Sequence, residues 1–329
     1  MNTTSKIFRP LAALSLIAVG LSGVSTATAE TVDLTPSTVS PALADTVDLT
    51  PSTTLEWNEG QTSNAQFDPS GRLWVWNTDY SPGLPYGKQV SVFVEDLDGD
   101  WFHSYRWKPR KFFPRDMTFA SSGTMYATGN CKLATVSFKS NGRVKKMKTV
   151  KFQGGFCPLS ASLNETGNIV LVDDSYIREY RLPLSSRSRA LRTITFSEDY
   201  GSENQIHASR DGNVYISHGA SSDGVDVYTA DQQGMVAPAR SFTIHPDYGS
   251  SQITDIADGV YSYITLRVNG DILIYDNAIT GLNQIPLIEF NLGEDTPEPF
   301  LGVAYDGTST YVAVNYGEIP ALKFYASPS

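Results

Sequence analysis

Two carboxylates and one imidazole, those of Asp116, Asp255 and His207, are the side chains in this sequence best suited to acid–base chemistry or to holding a divalent cation. Asp116 falls at a polar position of a short alternating segment where other copies carry Asn64, Ser160 and Gln205, and the looser fifth copy offers Thr254 or Asp255 there. Laid side by side, the segments would make a ring of Asn64, Asp116, Ser160, Gln205 and Asp255, with His207 just below it. Such a ring could take Ca2+ or Zn2+. It could equally be a structural network in which the members bond one another and water. No spacing within it matches a metal motif. His103, His207, His218 and His245 form no HxH or HxxxH pair, and Asp96-Leu97-Asp98-Gly99-Asp100 resembles half a calcium loop without its closing Glu. The sequence has no GxSxG elbow, phosphate-binding glycine loop or zinc-type cysteine pair.

A second set pairs tyrosine with an acid or amide. Asp79, Tyr80 and Tyr86 lie in NTDYSPGLPYGK, Asp174 and Tyr176 in DDSYIRE, and Asn315 and Tyr316 in NYGEIP. Asp199-Tyr200 and Asp247-Tyr248 open two DYGS phrases. A flat ring covers apolar C–H surface while a neighbouring acceptor takes hydroxyl or amide protons, a pairing that suits sugars and peptides. Tyr80, Tyr86, Tyr176, Asp199, Tyr200, Asp247, Tyr248 and Tyr316 are therefore the candidate ligand-binding residues. The same DYGS phrases also read as plain strand-entry turns.

What would bring these residues together is a repeat. An apolar stretch, an Asp- or Ser-rich turn with Gly and a Val/Ile/Tyr/Trp strand recur as AQFDPSGRLWVWN, MTFASSGTMYATG, SASLNETGNIVLVDD and IHASRDGNVYISHG, with looser copies from Asp255 and Gly302. The turn glycines Gly71, Gly123, Gly167, Gly212, Gly259 and Gly307 are 52, 44, 45, 47 and 48 residues apart. Strands at that period predict the blades of a β-propeller. A third strand follows each hairpin and a fourth comes next, as in RVKKMKTVKF and ARSFTIH. The expectation is an all-β, six-bladed propeller of four-stranded antiparallel blades over residues 54–329. The final repeat stops after its third strand, and TLEWN from Thr54 is expected to supply the missing one and close the ring.

Residues 1–29 read as a secretory signal: Lys6 and Arg9, an apolar run from Leu11 to Val24, then Ala27-Thr28-Ala29. Residues 30–53 hold TVDLTPST twice and read as an exposed Pro/Ser/Thr-rich tether. The mature chain is expected to be exported, extracellular or envelope-associated, and not membrane-spanning. In that compartment Cys131 and Cys157 are expected to form a disulfide, because both fall in loops on the same face of a propeller.

The whole chain carries a net charge of −10, yet residues 101–192 hold 17 Lys and Arg against 5 Asp and Glu. Many of these cations lie on expected outermost strands. There they either protect a sheet edge or contact an anionic cell-wall polymer. No nucleic-acid recognition module is present.

FDPSGRLWVWN and SRDGNVYISHG, each followed by a VxVY-type strand, resemble NHL-repeat and related six-bladed propellers over nearly the whole mature chain. That superfamily includes gluconolactonase-like metal hydrolases, streptogramin lyase-like proteins, peptide-amidating lyases and interaction modules. Its enzymes draw acidic, Asn or His ligands from several blades around the channel mouth. The resemblance implies comparable places for Asn64, Asp116, Gln205 and Asp255, although the lyase-type spacing of histidines is absent. Three functions are open to the sequence: an exported module binding a glycan or peptide, a metal-assisted hydrolase or lyase at the channel mouth, and a structural envelope protein.

Overall fold

The computed structural model describes residues 45–48, 53–56, 64–76, 90–109, 111–197, 206–209, 211–217, 224–245, 261–265, 272–276, 280–286, 288–291, 300–305, 310–315 and 321–326. Pro41–Ser329 forms one compact unit. Every described residue belongs to it. The leader and the first TVDLTPST copy lie outside the described residues.

Strands β1 (Asp45–Asp48) and β2 (Thr53–Glu56) come first and join sheets whose other members come from late in the chain. The first sheet of consecutive strands is β3 (Asn64–Phe67), β4 (Leu73–Trp76), β5 (Val90–Glu95) and β6 (Trp101–Trp107). The next is β7 (Asp116–Phe119), β8 (Met125–Gly129), β9 (Lys132–Phe138) and β10 (Val144–Lys151). Then come β11 (Ser160–Leu163), β12 (Ile169–Val172), β13 (Tyr176–Tyr180) and β14 (Arg192–Phe196). The fourth sheet holds β15 (Ile206–Ala208), β16 (Val214–Ser217) and β17 (Gly224–Tyr228). The next strand, β18 (Gly234–Val236), leaves it, and β19 (Arg240–Ile244) returns. The fifth holds β20 (Tyr261–Thr265) and β21 (Ile272–Asp276); β22 (Gly281–Gln284) leaves, and β23 (Ile288–Asn291) returns. The sixth is β24 (Phe300–Tyr305), β25 (Thr310–Asn315) and β26 (Ala321–Ala326), completed by β2. No helix occurs among the described residues.

The repeat glycine explains the regular inner hairpins. At Gly71 the φ of +78° is one that a side chain resists, and its N–H closes the turn on the Asp68 carbonyl at 2.9 Å. The second strands LWVW and IVLV are buried at every position, because both faces of each sheet are covered. Trp74, Trp76 and Val90 pack on Met117, Met125 and Val136 of the next sheet. Leu73, Val75 and Phe93 face the other way, onto Leu322 and Phe324 of the last. Sheet stacks on sheet in chain order, and the last returns to the first. This is an all-β propeller fold.

The last sheet is completed from the chain's beginning. Strand β2 pairs antiparallel with β26, Leu55 opposite Leu322. Two details differ from the sequence expectation. The sheets are not uniformly four-stranded and antiparallel: β18 adds in parallel to β14 of the preceding sheet, and β22 adds in parallel to β19. Residues 30–53 are not tether throughout, since β1 adds in parallel to β23. The physical reason is shared. An outermost strand exposes a row of backbone donors and acceptors, and a few residues of passing chain suffice to satisfy them.

Gly129 sits where the backbone of Phe113 comes close. A Cβ there would collide with the Phe113 carbonyl oxygen. Gly129→Ala is expected to lower stability by about 3 kcal/mol, read as a fall in thermal midpoint.

Candidate functional site

A cluster of polar and aromatic groups at the margin of one core cluster adjoins the disulfide. Asn130 and Cys131 form the two-residue turn between β8 and β9, with φ of +50° and +53°, the signature of a type I′ hairpin. Asn130 suits such a turn, and its Oδ1 accepts the Phe113 N–H at 2.6 Å. Cys157 lies between β10 and β11. The two cysteines are bonded, their sulfurs 2.01 Å apart, as the loop placement predicted.

The bridge fixes the segment next to a short turn after β12. Asp173, 7% exposed, accepts the Ser175 and Tyr176 N–H groups on Oδ1 at 2.9 and 2.7 Å, and the Cys157 N–H on Oδ2 at 3.3 Å. Burial raises its pKa; the three N–H groups and nearby Arg178 oppose that rise. The turn thereby sets the start of β13, where Tyr176 is half-buried against the cluster that holds Phe156 and Tyr180. The Arg178 guanidinium lies 4.8 Å from the centre of the Tyr176 ring and 4.5 Å from that of Phe156, a cation held between two aromatic faces. Asp174 Oδ1 is buried and accepts no hydrogen bond from the described protein atoms. Tyr176, Arg178 and Asp174, half-buried and backed by the buried Phe156 and Asp173, thus form a rim group. The sequence reading picked out Asp174 and Tyr176. It missed Asp173, Phe156 and Arg178, whose one signal is the double acid that ends the apolar strand IVLV.

At the proposed ring, the structure brings Asp116 and Ser160 together. Asp116 Oδ1 accepts the Met117 N–H at 2.8 Å. Its Oδ2 accepts the Ser160 hydroxyl at 2.7 Å and the Ala161 N–H at 2.8 Å. Strand β11 is the inner edge of its sheet, so the Ala161 N–H lacks a strand partner on that side, and Asp116 supplies one across the gap from β7. The pair clamps two neighbouring sheets. Asn64 and His207 lie on β3 and β15. Gln205, Asp255, Tyr80, Tyr86, Asp199, Tyr200, Asp247, Tyr248 and Tyr316 lie outside the described residues. Among the described residues no group of three or more His, Cys, Asp or Glu is placed to hold a metal ion.

The cations of the basic segment are partly where the sequence put them. Lys145, Lys146, Lys148 and Lys151 are exposed on β10, the outermost strand of its sheet. No helix among the described residues is long and apolar enough to cross a membrane.

Solved structures show the same class of fold. One is a catalytically inactive variant of virginiamycin B lyase from Staphylococcus aureus, with Quinupristin: 10% identity, 83% of this chain and 99% of that one covered, TM-score 0.50. Another is Raptor from Chaetomium thermophilum: 12% identity, 84% of this chain and 30% of that one, TM-score 0.52. This chain therefore spans under a third of the second protein. No protein-family model matches the chain, and no curated protein matches it. The molecule is a β-propeller, and at these identities the likeness shows the fold alone.

Proposed function

We propose that this chain is a six-bladed propeller, closed by β2, that works as an exported binding module holding a glycan or peptide on its disulfide-bearing face. The observation that carries the reading is the rim group. Tyr176 is half-buried and backed by Arg178, and its turn is fixed by Asp173 and, through Cys157, by the disulfide. A half-buried aromatic plane with a carboxylate two residues before it, at Asp174, is the pairing that suits apolar C–H surface next to hydroxyl or amide donors. Tyr80, Tyr200, Tyr248 and Tyr316, which lie outside the described residues, remain further candidates on the strength of their sequence context alone. A hydrolase or lyase reading at the channel mouth draws less support, because both oxygens of Asp116 already accept hydrogen bonds from the protein.

The test is a glycan array and a displayed peptide library screened with the mature chain. Tyr176→Ala is expected to weaken the selected binder about ten-fold, the scale of an aromatic hot spot. Because Tyr176 is half-buried against the cluster of Phe152, Phe156 and Tyr180, the thermal midpoint is expected to fall modestly, and binding is compared at a temperature where both proteins are folded. A binder that holds the variant as tightly as the parent would reject the rim as its site.

A further inference from the structure

We propose that a cavity at the opposite end of the strands binds a small organic amine carrying an aromatic or aliphatic body. The cavity, about 450 Å3, is formed where the inner hairpins of three consecutive sheets turn. That volume falls within the range of small-molecule sites. The hairpin turns lie at the other end of the strands from the Cys131 turn, so this is a site separate from the rim group.

The three hairpins contribute equivalent positions. Phe67, Phe119 and Leu163 supply apolar wall, and Gln66 and Thr118 supply polar atoms beside it. Gln66 Oε1 is buried and accepts no hydrogen bond from the described protein atoms. It is a preplaced acceptor that calls for an N–H or O–H donor. The charges then choose between donors. Two carboxylates line the cavity, and no described lining residue is a cation. Asp68 is already occupied by Arg72 and Trp74. Glu165 is exposed in its turn and makes no ion pair among the described residues. An ammonium group satisfies the Gln66 acceptor and faces the Glu165 charge. An alcohol would do only the first, and an anion would be repelled.

The probes are phenethylamine, its neutral isostere 2-phenylethanol and the anion phenylacetate, titrated into the full mature chain and followed by calorimetry and NMR. The amine is expected to bind about ten-fold more tightly than the alcohol, and the anion not at all. Glu165→Gln, an exposed change that leaves the fold intact, should weaken the amine about five-fold and erase most of its advantage over the alcohol. Gln66→Leu should weaken amine and alcohol alike. Tyr176→Ala should leave amine binding unchanged, which separates this site from the rim. Equal affinities for amine and alcohol, no binding of the amine, or an amine affinity indifferent to Glu165→Gln would each overturn the proposal.

Discussion

Asp68→Ala is expected to lower folding stability by about 3–5 kcal/mol, the cost of stranding a buried charge and a buried donor together. The Asp68 side chain is 2% exposed. Its Oδ1 accepts the Ser70 N–H at 2.9 Å, the Ser70 hydroxyl at 2.6 Å and the Arg72 N–H at 3.2 Å. Its Oδ2 takes Arg72 Nε at 2.6 Å and the Trp74 indole N–H at 2.9 Å. Alanine would leave the indole N–H of a fully buried tryptophan without an acceptor. It would also free Arg72, whose guanidinium lies 5.8 Å from the Trp74 ring and 5.7 Å from Phe138 of the next sheet. Loss is thus expected at the turn and at the contact between the first two consecutive sheets. Urea unfolding followed by tryptophan fluorescence reads both. A variant with the parent's midpoint would show that water replaces the carboxylate without penalty.

Replacing Cys131 and Cys157 together by serine comes next in size. The bridge closes 26 residues of chain, and a loop of that length corresponds to about 3–4 kcal/mol in the chain-entropy account. Reductant should shift the parent's urea midpoint toward that of the double variant and leave the variant itself unmoved. Ligand affinity at the rim should also fall in the variant, because Cys157 donates to the carboxylate that shapes the Tyr176 turn. A parent whose midpoint ignores reductant would contradict a stabilising role for the bridge.

Much of the fold was legible because its signals are local and repeated. A glycine at one turn position, with alternating strands before and after it, marks the inner hairpins of the first four consecutive sheets, and at Gly71 and Gly123 the backbone does adopt a left-handed φ of +78° and +80°; Gly259 and Gly307 lie outside the described residues. The cysteine pairing was legible for a topological reason: both loops fall on one face. The parallel additions were not. Gly234–Val236 is too short to alternate, and nothing in GMV or GLNQ announces a partner in a neighbouring sheet. Asp45–Asp48 was hidden inside a Pro/Ser/Thr-rich stretch, where composition reads as solvated chain until an open edge is offered to it.

The candidate site was legible only in part, for the same reason. Asp116 and Ser160 lie on β7 and β11 and bond each other, but sequence alone does not say that the Ala161 N–H would share the same carboxylate oxygen. Arg178 and Phe156 meet because the disulfide and the Asp173 turn bring a crossing segment over β13. That juxtaposition has no trace in spacing. The cavity needs three turns from three sheets, and no single repeat contains it.

The strands that cross over to a neighbour bear on how such a molecule can be built or rebuilt. Excising the segment from β15 to β19 would remove β18 as well, and so would strip the preceding sheet of its outermost member. Sectors of this protein are therefore poor units for shuffling or duplication. A graft that respects the architecture must be cut within a sector, after the crossing strand, and not at the apparent seam between one sector and the next.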